Sequence, residues 1–131
     1  MTGMGRTGRW FAFEHWGALP DILILGKGMS GGYFPLSAMI TRSELVDRRK
    51  EKAGGFVHGH TYSHHTVACA VGLTVLRCIQ EQSLVERSRQ QGIYLLKRLE
   101  ELKSFPFVGD VRGKGLMAAI EFVKDQASKE P

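Results

Sequence analysis

The stretch Asp21-Ile22-Leu23-Ile24-Leu25-Gly26-Lys27-Gly28-Met29-Ser30-Gly31-Gly32-Tyr33 decides how the chain is read. Four consecutive aliphatic residues, Ile22 to Leu25, predict a short buried strand. One lysine then stands between two glycines at the strand's end. An ammonium held beside apolar strands is costly, so a lysine placed there loses its proton or finds a partner. A lysine that sheds its proton is a nucleophilic amine, able to form a Schiff base with an aldehyde. The flanking glycines let the backbone turn tightly and let a flat ligand come close. The tripeptide alone also reads as an exposed, inert turn, which is the expectation for Gly113-Lys114-Gly115.

Working outward, the chain has 131 residues, 43% of them apolar and 24% charged, the make-up of one ordinary soluble globular domain. No apolar run approaches the roughly 20 residues of a membrane span. Met1-Thr2-Gly3-Met4-Gly5-Arg6 lacks the apolar core of a signal peptide, so the expected location is the cytoplasm. Net charge is +5, with one local cluster at Arg48-Arg49-Lys50-Glu51-Lys52. An acid interrupts that cluster and no aromatic residues interleave it. It reads as a solvated helix end, where cations suit the C-terminal dipole, and neither nucleic acid nor membrane is an expected partner. Cys69 and Cys78 fall on one expected helix, pointing to opposite faces about 13 Å apart along the axis. They cannot pair there, and they read as small buried apolar residues in a reducing compartment.

Residues 1–20 are glycine-rich and then aromatic, a loop with a short helical turn. After the strand at Ile22–Leu25, residues 26–35 form a loop and 36–40 a second strand. Thr41-Arg42-Ser43-Glu44 offers a cap for a short helix to about Lys52, and 53–60 is a loop. Residues 66–82 predict a mostly buried helix. Ser83-Leu84-Val85-Glu86 has the pattern of a capping box opening an amphipathic helix to about Lys103, stopped by Phe105-Pro106-Phe107. Residues 108–115 read as a turn region and 116–123 as a strand without an obvious partner.

Several motifs compete for chemistry. Gly3-x-Gly5-x-x-Gly8 and Gly26-x-Gly28-x-x-Gly31 both fit the dinucleotide-binding pattern, and the second follows a strand. Gly32 and Pro35 spoil the helix such a site must open onto. A P-loop fails because glycine, not serine or threonine, follows Lys27. His58, His60, His64 and His65 suggest metal, but no nearby acid or cysteine completes a usual ligand set. Thr61, Tyr62, Ser63 and Thr66 precede the buried helix. Hydroxyls and free N–H groups at a helix start serve a phosphate, or Ser63 or Thr66 simply caps the helix.

Gly3-Met4-Gly5-Arg6-Thr7-Gly8, Pro20-Asp21, Leu25-Gly26-Lys27-Gly28 and Gly59-His60-Thr61-Tyr62-Ser63 stand in this order along the chain. Together they resemble the signature of class III, fold-type I, pyridoxal-phosphate-dependent aminotransferases, from Met1 to about Val123. The resemblance implies an α/β fold. Residues 1–82 would be the C-terminal portion of the cofactor-binding large domain, and 83–131 the start of an α+β small domain. It makes Lys27 the catalytic lysine, holding pyridoxal 5'-phosphate as a Schiff base and moving the substrate proton. It makes Thr61 a ligand of the cofactor phosphate, reaching in from the neighbouring subunit of a homodimer. Arg112 resembles part of an Arg-Gly-Lys-Gly turn into the small domain, and Arg6 has a loop role only.

The implied reaction moves an amino group from an amine or ω-amino acid to a keto acid. An aminomutase, racemase or decarboxylase of the same family, or a non-catalytic fragment acting as an interaction module, are the alternatives. The family carries Asp-Glu-Val just before the segment matching Met1-Thr2-Gly3, with the aspartate on the pyridinium nitrogen. The expectation is therefore that Met1 is an internal methionine of a longer polypeptide.

Overall fold

The computed structural model describes residues 1–55 and 57–131. Its elements are β1 (Ile22–Leu25), β2 (Ala38–Thr41), α1 (Ser43–Ala53), α2 (Thr66–Glu81), α3 (Leu84–Glu100), β3 (Val108–Lys114) and β4 (Met117–Phe122). Short 3-10 turns occupy Ala12–Trp16, Lys27–Ser30 and Glu101–Ser104. The architecture is mixed α/β. There are two separate antiparallel ribbons, β1–β2 and β3–β4; the second packs on α3, while α2 packs on α3 and on the Lys27–Ser30 turn that leaves β1. Within the first, Leu25 pairs with Ala38 and Ile22 with Thr41, so the 26–37 connection leaves and re-enters one ribbon.

Leu23 and Leu25 are half-buried while Ile22 and Ile24 stand exposed, Ile24 at 78%. β1 is thus covered on one face, not on both as its continuous aliphatic run suggested. α2 also departs from expectation. Ala68, Gly72 and Ile79 are buried, but Val67 and Leu73 are about half exposed at 54% and 50%.

Residues 108–114 are strand, and only Gly115 of the expected turn region is turn. β3 pairs with β4 from Lys114–Met117 back to Val108–Phe122, which supplies the partner that 116–123 lacked in the sequence. A register shift between Val108 and Asp110 disguises the strand's alternation. At Gly109 a β-carbon would sit 2.6 Å from Val123 Cγ1, so the glycine is a packing requirement within a strand. Val108, Val111 and Val123 are among the most buried side chains of the described residues, so the core lies between this hairpin and α3.

Two capping expectations fail. Ser83 adopts the left-handed conformation (φ 51°, ψ 38°) and its side chain caps nothing, while Glu86 turns forward to Arg89 and Gln90. The box geometry needs an extended N-cap, and the tight α2–α3 junction does not allow one. α2 is capped by His65, whose Nδ1 accepts from the Ala68 N–H at 3.3 Å; Ser63 Oγ instead accepts from the His60 N–H. Cys69 is exposed rather than buried, and Cys78 is half-buried. No helix among the described residues is long and apolar enough to cross a membrane.

Candidate functional site

Lys27 opens the 3-10 turn that leaves β1. Its φ is 51°, left-handed for a residue with a side chain, a conformation that costs about 1–2 kcal/mol. The turn is held from behind. Met29 N–H donates to the Gly26 carbonyl and Gly31 N–H to that of Gly28. Ser30, 2% exposed, donates through Oγ to the Phe34 carbonyl at 2.6 Å and also lies 3.3 Å from the Lys27 carbonyl. The ammonium is not enclosed by the strands as the sequence suggested, because Lys27 is exposed. It stands on the wall of a cleft of about 1030 Å³, with Gly26, Gly28, Met4, Phe11 and Met117 among its neighbours there.

The first glycine loop lines the same cleft beside the lysine turn. Gly3 bridges to Phe11, Ala12 N–H donates to the Thr2 carbonyl, and Gly5 N–H donates to that of Trp10. Met4 takes the left-handed conformation at φ 56°. Its Cβ lies 3.3 Å from where a β-carbon of Gly28 would be, so the loop rests directly on the lysine turn. His15 Nε2 stands 3.1 Å from both Oγ1 and the carbonyl oxygen of the buried Thr7 and steadies the far end of the loop.

Thr61 is exposed on the segment before α2 and is not part of the cleft. The chain therefore does not bring Thr61 to Lys27. His58 and His60 face each other edge-on with ring centroids 5.0 Å apart, and His65 lies against Phe34. Each has a role in packing or capping. Arg112 binds Asp110 at 2.9 Å and Glu121 at 2.8 Å within its own hairpin. Those bonds raise its pKa, and hydrogen bonding from Arg112 lowers that of Asp110.

What can the arrangement do? An exposed primary amine on a bare-backbone turn can take an aldehyde, and the glycines leave room for a flat ring. These residues fit an aldehyde cofactor at the amine end. A phosphate cup is not assembled around Lys27 by the described residues. Sequence reading missed the support behind the loop, in which Ser88 donates to the Arg6 carbonyl at 2.9 Å across 82 residues. A serine mid-helix carries no local mark of such a bond.

The model of the family "Aminotransferase class-III" matches residues 1–131. The chain belongs to the class III aminotransferases. It is 44% identical over 131 residues to the uncharacterized aminotransferase YodT of Bacillus subtilis (strain 168), covering 99% of this chain and 30% of that protein. It is 40% identical to a putrescine–pyruvate aminotransferase of Pseudomonas aeruginosa, over 98% of this chain and 28% of the relative. It is 41% identical to a leucine/methionine racemase of Thermococcus litoralis, again over 98% and 28%. Among solved structures, an (S)-enantioselective omega-transaminase from Thermomicrobium roseum superposes with a TM-score of 0.92 at 44% identity, covering 98% of this chain and 29% of that one. The fold is accordingly that of part of a fold-type I transaminase, and the chain spans about 30% of the length of the relatives it matches.

Proposed function

We propose that Lys27 is the catalytic lysine of a pyridoxal-phosphate-dependent transaminase, in the whole polypeptide to which this sequence belongs. The observation that carries the reading is the placement of an exposed lysine, in a left-handed turn between bare glycines, on the wall of a cleft that the first glycine loop also lines. Bound pyridoxal 5'-phosphate supplies an aldehyde for amine capture and an electron sink for the substrate carbon. Lys27 holds the cofactor through Nζ. When free, the same Nζ would take and return a proton at the substrate carbon. The turn's backbone bonds fix where the Lys27 side chain leaves the main chain. The substrates are an amine or amino acid and a keto acid.

Thr61 serves the cofactor phosphate of a neighbouring subunit in a homodimer, a reading supported by its exposure away from its own chain's cleft. The boundary between large and small domains falls after Gln82, where Ser83 makes its left-handed junction. The cytoplasm is the proposed location.

Borohydride reduction of the whole polypeptide with pyridoxal phosphate, followed by peptide mass analysis, tests the lysine. The expected result is one pyridoxyl group on Lys27, absent in Lys27→Ala. Label spread over many lysines refutes it. A racemase reading is favoured by the Thermococcus litoralis relative. Product analysis with an amino acid and a keto acid separates the two: transfer makes a new amino acid, racemisation only the opposite enantiomer.

A further inference from the structure

Helix α3 presents one continuous stripe to the first glycine loop. Gly5 lies against Val85, where an added β-carbon would be 3.1 Å from Val85 Cγ2. Gly8 lies against Arg89, with 2.9 Å to Arg89 Cα. Ser88 donates to the Arg6 carbonyl at 2.9 Å. These helix positions, with Gly92, follow the i, i+3, i+4, i+7 pattern of a single helical face.

The β3–β4 turn completes the grip. Leu116 N–H donates to the same Arg6 carbonyl at 3.0 Å. A β-carbon at Gly92 would lie 2.3 Å from Gly115 backbone, and one at Gly115 would lie 2.4 Å from Thr7 backbone. Helix, hairpin turn and loop are therefore stacked backbone on backbone, with both acceptor directions of one carbonyl occupied. The loop's other side rests on Gly28 through Met4, next to Lys27.

We propose that Ser88 is a positioning residue for Lys27: its hydrogen bond to the Arg6 carbonyl, backed by the Gly92–Gly115 close contact, sets the loop that fixes the lysine turn. The effect passes through two contacts, Ser88 to Arg6 and Met4 to Gly28. Lys27 needs such support because a left-handed lysine reverts to a commoner conformation when its neighbours give way. The significance of this for catalysis rests on the reading of Lys27 as the cofactor lysine.

The test is amide hydrogen exchange on the whole polypeptide without cofactor, with Ser88→Ala, Ser88→Cys and Ser88→Thr. Loss of one hydrogen bond corresponds to about three- to tenfold faster exchange where its support is felt. That acceleration is expected at residues 3–8 and also at 26–31, while α1 and the β3–β4 ladder keep their rates. Ser88→Cys keeps the side chain's size without a strong donor and should behave as Ser88→Ala does. Ser88→Thr keeps the donor and should restore both regions to within about twofold. The rate at which Lys27 captures added pyridoxal should fall about fivefold in the first two variants and recover in the third.

The proposal is overturned if the acceleration stays within α3, spreads evenly over the chain or stops at residues 3–8. It is equally overturned if cysteine substitutes fully or threonine fails to restore. Failure of the lysine reading is seen separately, as no pyridoxyl group on Lys27 in the unaltered protein, whereas the exchange measurement needs no cofactor.

Discussion

Replacing Gly92 by alanine gives a change whose sign discriminates between two pictures of α3. On an exposed helix Gly→Ala stabilises by about 1 kcal/mol, because the helix prefers alanine. Here the new methyl would lie 2.3 Å from both C and Cα of Gly115 and 2.4 Å from its carbonyl oxygen. Carbon atoms rest about 3.5–4.0 Å apart, so helix and hairpin turn must separate by roughly 1.2–1.7 Å. The neighbours are backbone, and no side chain can rotate aside. The separation stretches the 2.9 Å bond from Ser88 and the 3.0 Å bond from Leu116 to the Arg6 carbonyl beyond useful range. Each is worth about 0.5–1.5 kcal/mol, and overpacking adds about 1–3 kcal/mol. Set against the propensity gain, the net effect is a loss of about 3 kcal/mol. The thermal midpoint of the whole polypeptide should fall by several degrees. A Gly92→Ala midpoint equal to or above that of the unaltered protein refutes the stacked-backbone argument.

Two further changes are expected. Hydrogen bonds from Arg89 and then Gln90 hold the Glu86 carboxyl at about 2, below its ordinary value of 4.5. Because the folded value is depressed, its stabilisation is complete above the unfolded value and is lost as pH falls through the folded one. Between pH of about 4.5 and 2 the midpoint of the unaltered protein should therefore fall more steeply than that of Glu86→Gln, and parallel curves across this window contradict the bond pattern. At position 27 glycine suits the 51° backbone angle better than alanine does, so Lys27→Gly should be more stable than Lys27→Ala by about 1 kcal/mol in urea unfolding. Equal stability would mean that the lysine turn is not held left-handed.

Local pattern carried a large part of the fold. The aliphatic run at Ile22–Leu25 is a strand, and the helices at Ser43–Ala53, Thr66–Glu81 and Leu84–Glu100 lie close to where periodicity and punctuation put them. Lys27 was singled out by the motifs around it, since the tripeptide Gly-Lys-Gly alone also occurs at Gly113-Lys114-Gly115. The errors share one cause. β3 was read as a turn because Gly109 and Gly113 stand where a strand should carry side chains. Both are glycine because Val123, Leu96 and the Met117 backbone occupy the space, a fact belonging to residues that lie elsewhere in the chain. The capping box failed for a similar reason: four residues matched the motif, but Ser83, at the short α2–α3 junction, is left-handed and not extended.

The residue types and their order thus suffice for the family, for most helices and strands and for the candidate lysine. Each of these depends on interactions within a few positions or on a motif with a set spacing. Where Lys27 stands, that Thr61 lies away from it, and that Ser88 reaches across 82 residues to the Arg6 carbonyl follow from how the elements pack. Burial and close backbone approach are properties of pairs distant in sequence. A glycine required by a neighbour's backbone looks, in the sequence alone, like any glycine in a turn.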